Sequence, residues 1–170
     1  NHSASASAKS TAELKPTSLR WVVDQVLLSQ KMALAARHVT AEIEGSANDL
    51  PADAEKLRVV LDNLVSNAIK YSPEGGRLRI RLTDDARHAR IDVQDQGPGI
   101  PPEDADRIFE PFYRGKGAAT AKGTGLGLAI LKDYIALHRG TVSLVPPDEE
   151  ADSSFGGAHF RLTLPRPQNA

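Results

Sequence analysis

Two asparagines, Asn63 and Asn67, stand four residues apart inside a segment, Asp53–Tyr71, whose leucines recur at helical spacing. At ~100° per residue they share an arc about 100° wide with Lys70 and Tyr71, beside the apolar stripe of Leu57, Leu61, Leu64 and Ala68. Asparagine is a poor helix-interior residue because its side chain competes for backbone hydrogen bonds. A stacked pair therefore costs helix stability, and reads either as two solvated amides or as the wall of a site. As a site wall its chemistry is specific. An amide oxygen is a hard ligand suited to Mg²⁺, a lysine suits a phosphate oxygen, and a tyrosine offers a ring and a hydroxyl to a nucleoside.

Two glycine clusters add to this. In Asp95-Gln96-Gly97-Pro98-Gly99-Ile100 the glycines allow a sharp turn and close approach, and the carboxylate stands at a strand end as a fixed acceptor for an exocyclic amine such as that of adenine. An ordinary turn between elements would look the same. Gly123-Thr124-Gly125-Leu126-Gly127-Leu128 runs straight into an apolar segment. Glycine costs about 1 kcal/mol in a helix interior, so three at a helix start are either a hinge or a bare backbone N–H cradle for phosphate. No Gly-Lys-Ser/Thr follows, which excludes a Walker loop. Between the clusters lie Phe109 and Phe112, then Arg114, Lys116 and Lys122 among Gly, Ala and Thr. That composition describes a basic flap beside a polyphosphate.

The elements that must hold these groups follow from periodicity. Asn1–Ser10 is small, polar and aperiodic, and reads as a flexible lead-in, native or appended. With Ser18 as N-cap, one helix is expected to about Arg37, then a short strand at Val39–Ile43 ended by the turn-rich GSAND. The strongest helix is Asp53–Tyr71, capped by Asp53 and closed by SPEGG. Arg77–Thr83 alternates strictly and pairs with Arg90–Asp95 as an antiparallel hairpin. Its Arg77, Arg79 and Arg81 face reads as a solvated outer surface. A short helix is expected around residues 104–109, a longer one from Gly125–Gly127 to about His138, and strands at Thr141–Val145 and Ala158–Leu164. Alternating strands offer one apolar face, so a sheet with helices on one side fits, and a Rossmann arrangement does not.

Composition agrees with a single ordinary domain. Of the 170 residues 40% are hydrophobic and 13 are glycine. Lys and Arg number 21 against 22 Asp and Glu, so no global field recruits nucleic acid or an anionic membrane. The absence of cysteine removes disulfides, thiolate metal sites and Cys nucleophiles. No apolar run reaches the ~18 residues of a membrane span, and the chain reads as soluble.

NLVSNAIKYS (Asn63–Ser72), DQGPGI (Asp95–Ile100), RIFEPFYR (Arg107–Arg114) and GTGLGLAI (Gly123–Ile130), in that order, resemble the N, G1, F and G2 boxes of the catalytic, ATP-binding domain of bacterial sensor histidine kinases. The resemblance covers about residues 14–165, with 1–13 as lead-in and 166–170 as tail. It implies a Bergerat-type (GHKL) two-layer α/β sandwich, a mixed five-stranded sheet with about three helices on one face. It also implies ATP and Mg²⁺ as ligands. By resemblance, Asn67 is the Mg²⁺ ligand and Asn63 its partner near the phosphates. Lys70 and Arg114 reach the phosphates, Tyr71 lies beside the nucleoside, Asp95 accepts from the adenine amino group, and Gly97, Gly99 and Ile100 line the base. Phe112 and Lys122 lie within the ATP lid, expected over about residues 110–124; Lys116 and Lys122 match no fixed family position, and a phosphate contact for them is read from their charge alone. Gly123, Thr124, Gly125, Leu126, Gly127 and Leu128 form its hinge and the phosphate-facing backbone.

Asn63 is also where DNA gyrase, related chaperone ATPases and anti-sigma serine kinases carry a glutamate base. An amide cannot take a proton, so the resemblance favours phosphoryl transfer to a histidine over hydrolysis, with Asn63, Lys70 and Arg114 as the catalytic set. A serine kinase or ATPase of this fold, or a nucleotide-free scaffold, are the alternatives. Family acceptor histidines precede Glu or Asp, whereas His2, His38, His88, His138 and His159 are followed by Ser, Val, Ala, Arg and Phe. The expected partners are therefore a separate dimerisation and phosphoacceptor domain of the same receptor and a response regulator. This chain alone is expected to be monomeric and unable to phosphorylate itself, as the cytoplasmic part of a homodimeric receptor anchored in the inner membrane.

Overall fold

The computed structural model describes residues 11–100, 103, 127–145 and 155–167. Element order is β1 (Lys15–Thr17), α1 (Leu19–Ser29), α2 (Lys31–Arg37), β2 (Thr40–Gly45), β3 (Leu50–Ala52), α3 (Ala54–Tyr71), β4 (Arg77–Asp84), β5 (His88–Asp95), α4 (Gly127–Leu137), β6 (Thr141–Leu144) and β7 (His159–Pro165). The main sheet has five strands in the order β2-β4-β5-β7-β6. β2 runs parallel to β4 and the other pairs are antiparallel, so the sheet is mixed, as expected. α1 and α4 each pack on α3, which lies against β5 and is part of the crossover that joins β2 to the parallel β4.

The helices form where caps and apolar spacing coincide. Ser18 accepts a hydrogen bond from the Trp21 N–H at the start of α1, and Asp53 from the Lys56 N–H at the start of α3. Leu57, Leu61, Leu64 and Ala68 are buried, as the stripe requires, and Val60, Val65 and Ile69 widen it. They meet the Leu78-Ile80-Leu82 face of β4, Ile91 and Val93 of β5, and Leu162 and Leu164 of β7 in one core. Leu131 and Ile135 of α4 close it. Fully burying a side chain of this kind contributes about 1.5–3 kcal/mol, so the α3 stripe is the main anchor of the helical layer.

Three expectations need correction. The single helix from Ser18 to Arg37 is two, because the chain breaks at Gln30 (φ −98, ψ 9), and the side chain of Gln30 turns to Asp62 Oδ1 at 2.8 Å. A two-stranded ribbon, β1 against β3, was not expected. Its prolines Pro16 and Pro51 face each other, as an isolated ribbon with open edges allows.

The third concerns the arginine face of β4. Arg79 is 5% exposed, not solvated. Its Nε and Nη2 donate to Gln94 Oε1 at 3.1 and 2.9 Å, and its guanidinium lies 4.5 Å from the centre of the Phe155 ring. Arg77 reaches the same ring at 4.9 Å and pairs with Glu42, while Arg81 pairs with Glu44. The correction is confined to Arg79, which Gln94 and Phe155 bury; the side chains of Arg77 and Arg81 keep 43% and 31% of their surface, on the solvent side as expected.

Hydrogen bonds also reach beyond the expected limits of the sandwich. The Glu13 N–H donates to Asp53 Oδ2, and Arg166 donates to the carbonyls of Asn48 and Asp49 and to Asp84.

Candidate functional site

Asp95 is the last residue of β5 and is 4% exposed. Its Oδ1 accepts from the Gly97 N–H and the Ala158 N–H, both at 2.9 Å. Among the described residues, Oδ2 accepts no hydrogen bond, so one oxygen is fixed and the other is left for a ligand. Burial pushes the carboxyl above the ordinary carboxylate range, against the two N–H donors that pull it down. A buried, rigid acceptor of this kind selects a ligand with a donor at one position.

Glycines make that arrangement possible. A Cβ on Gly97 would stand 2.5 Å from the Tyr71 carbonyl oxygen, so the loop after β5 presses against the C-terminal end of α3. Gly99 has φ +80, in the left-handed region. A Cβ on Gly157 would stand 2.5 Å from the Gly97 nitrogen and closer still to Asp95 Oδ1. Gly157 and Ala158, at the entrance to β7, are thus part of the site although sequence reasoning did not select them. The signal was a Gly-Gly pair directly before a strand, which marks close backbone approach.

On α3, Asn63 and Asn67 are half-buried, Lys70 is exposed and Tyr71 is half-buried. Asn63 Nδ2 donates to its own helix at the Val59 carbonyl, 2.8 Å away, which leaves the amide oxygen as its acceptor for a ligand. Asp62, one residue before it, faces away, accepting from Ser29 Oγ and Gln30 Nε2. Gln96 Oε1 accepts from the Arg77 N–H at 2.8 Å, tying the loop to the start of β4, and Ile100 packs on the core.

α4 runs antiparallel to α3, since residues at its C-terminal end, Tyr134 and His138, meet Lys56 and Asp53 at the start of α3. At ~1.5 Å rise per residue, eleven residues back from His138 bring Gly127 level with about residue 64 of α3. Packed side by side with α3 along that length, α4 would bring its N-terminus to the height of the turn that carries Asn63. Leu128 shares that first turn. Phe112, Arg114, Lys122, Gly123, Thr124, Gly125 and Leu126, with the helix expected around 104–109, lie outside the described residues.

The donors fit a Mg²⁺ held largely by a ligand's phosphates. No group of three or more His, Cys, Asp or Glu side chains that could cage a metal occurs among the described residues. Mg²⁺ commonly takes only one or two protein ligands alongside phosphate oxygens and water, and the half-buried Asn67 carries an amide oxygen of that type.

A two-layer sandwich with a buried acidic acceptor, a paired-asparagine helix and an opposed helix N-terminus is a fold class shared with known proteins. Residues 52–168 match the family described as "Histidine kinase-, DNA gyrase B-, and HSP90-like ATPase". The signal transduction histidine-protein kinase/phosphatase MprB of Mycolicibacterium smegmatis is 37% identical over 153 residues, 89% of this chain and 30% of the relative. The solved structure of a mycobacterial sensor histidine kinase MprB has a TM-score of 0.78 at 32% identity, covering 91% of this chain and all of that one. The histidine kinase ThkA, solved in complex with the response regulator TrrA, gives a TM-score of 0.73 at 25% identity over 91% of this chain and 42% of that one. The chain belongs to this ATPase family, as a histidine-kinase member. It spans well under half the length of the curated relatives it matches. No described helix is long and apolar enough to cross a membrane.

Proposed function

We propose that the chain binds Mg·ATP against α3, the loop after β5 and the N-terminus of α4, and presents the γ-phosphate to a histidine on a separate dimerisation domain. The observation that carries this is Asp95. One of its oxygens is held by two backbone N–H groups, and the other is left to accept the adenine amino group. Tyr71 borders the nucleoside. Lys70, with Arg114, neutralises phosphate charge, and the first N–H groups of α4 face the same anion.

In the transfer the bond from the γ-phosphorus to its bridging oxygen breaks as a neutral imidazole nitrogen forms the new P–N bond. ADP leaves and the ring gives up its other N–H proton. Asn63 takes no proton, so the chain's own part is positioning and charge stabilisation. A bound Mg²⁺, held by Asn67 and phosphate oxygens, would supply further neutralisation.

The module is read as residues 14–165 with a lid over about 110–124. It would be the cytoplasmic, monomeric part of a membrane-anchored homodimeric receptor that passes phosphate to a response regulator. The ThkA complex with TrrA supports that partner.

The test supplies the receptor's helical-hairpin domain in trans with Mg²⁺ and radiolabelled ATP. Acid-labile, base-stable phosphate is expected on the hairpin with the wild-type chain and not with Asp95→Asn. Phosphoserine, or full activity in Asp95→Asn, overturns the reading.

A further inference from the structure

The imidazole of His138 is 7% exposed and takes no part in the chemistry above, yet both ring nitrogens are engaged between two helices. Nδ1 lies 2.8 Å from the Tyr134 carbonyl oxygen, which can only accept, so Nδ1 carries the proton. Nε2 lies 2.9 Å from the backbone nitrogen of Asp53, whose N–H can only donate, so Nε2 accepts. The neutral Nδ1–H tautomer satisfies both bonds at once.

Each end of this link is fixed. On α4 the chain closes in a Schellman turn, with Arg139 at φ +60, the Arg139 N–H on the Ala136 carbonyl at 2.8 Å and the Gly140 N–H on the Ile135 carbonyl at 3.0 Å. On α3, Asp53 is the N-cap, its carboxylate taken by the N–H groups of Lys56 and Glu13. Lys56 Nζ adds a contact between the helices, 5.2 Å from the centre of the Tyr134 ring.

We infer that His138 is a positioning residue for the phosphate end of the site, fixing how far α4 reaches along α3. The inference rests on the nucleotide reading above. Because α4 is a rigid rod anchored at its far end, a slip at His138 is carried along the helix to Gly127, at the height of the turn that carries Asn63. The base end is spared. Asp95, Gly97, Tyr71 and Ala158 are held by β5, β7 and the end of α3, none of which depends on this hydrogen bond.

The experiment measures Mg·ATP and AMP binding to the chain by calorimetry, for wild type, His138→Leu and His138→Gln, with thermal melts alongside. Losing one anchoring hydrogen bond is expected to weaken Mg·ATP about tenfold in His138→Leu. AMP should stay within about twofold, and glutamine, which keeps an acceptor at the ε position, should restore most of the loss. If the leucine variant does not fold, His138→Asn, polar but too short to reach Asp53, takes its place with the same expectation. Equal losses for ATP and AMP, no loss for ATP, or no rescue by glutamine overturn the inference. A wild-type chain that binds neither nucleotide refutes the nucleotide reading itself, and this inference with it.

Discussion

Replacing Gly157 with alanine would set a methyl group 2.5 Å from the Gly97 nitrogen, 2.8 Å from the Gly97 oxygen and closer still to Asp95 Oδ1. Ordinary contacts of this kind begin near 3.4 Å. None of the three atoms sits on a flexible side-chain end, since two are backbone and the third is pinned by two N–H donors. The loop after β5 or the entrance to β7 must therefore move by more than about an ångström. The bonds at risk are those from Gly97 N–H and Ala158 N–H to the carboxylate, and the Gly157 N–H to Asp95 carbonyl bond at 3.0 Å. Overpacking costs about 1–3 kcal/mol and each lost hydrogen bond about 1 kcal/mol, so Gly157→Ala is expected to destabilise the chain by roughly 3 kcal/mol. Urea unfolding measures that term, and calorimetry with AMP measures the loss of base recognition, expected at tenfold or more. Gly75→Ala is the control, because Gly75 has φ +76 but nothing within 4 Å of its added Cβ. It should cost about 1–2 kcal/mol of backbone strain and leave AMP binding unchanged. A Gly157→Ala chain with wild-type stability and AMP affinity would refute the claim that Asp95 is held by the β7 entrance.

Two further outcomes follow from other parts of the fold. Arg139 is exposed and left-handed at the end of α4, so Arg139→Gly should stabilise the chain by about 1 kcal/mol in denaturant melts. At Asp92, burial pushes the carboxyl up, but hydrogen bonds from His159 at 2.6 Å and Arg161 at 2.8 Å, with their charges, outweigh it and hold it below its ordinary value. A depressed carboxyl contributes stability that is complete above its unfolded pKa of about 3.9 and is lost as pH falls through the folded value. Unfolding midpoints taken from pH ~5 downward should therefore fall steeply in wild type and less steeply in Asp92→Asn. Parallel slopes would remove Asp92 from the acid limb.

The legible parts of the sequence were those with local signals. α3 had a cap, a long 3.6-residue stripe and a closing turn. The β4–β5 hairpin had strict alternation, and its register, Leu78 opposite Asp95 and Ile80 opposite Val93, follows from it. Asn63, Asn67, Lys70 and Tyr71 could be placed on one face because helix geometry alone decides that. The β1–β3 ribbon could not be read, since three-residue strands have no period. The break at Gln30 was hidden because Leu27, Met32 and Leu34 continue a helical spacing, although Met32 is 83% exposed. The cover over Arg79 comes from Phe155, distant in the chain, and alternation reports only that a face is polar, not what lies on it. At the site, the missing partner of Asp95 was a backbone N–H, which any residue but proline supplies and which therefore leaves no mark in the sequence.

Strand β7 is the last in the chain but not the last in the sheet, for it lies between β5 and β6. A nascent chain emerging N-terminus first can form α1, α3 and the β4–β5 hairpin while the edge of β5 is still open. Only when residues 157–165 arrive is that edge paired, and the same insertion delivers the Ala158 N–H to Asp95. Because long-range pairing is the slow step of sheet assembly and an open interior edge is prone to mispairing, closing the sheet and placing the second N–H donor on Asp95 become one event. A chain cut before residue 157 would leave the edge of β5 open and the Asp95 carboxylate with one backbone donor in place of two.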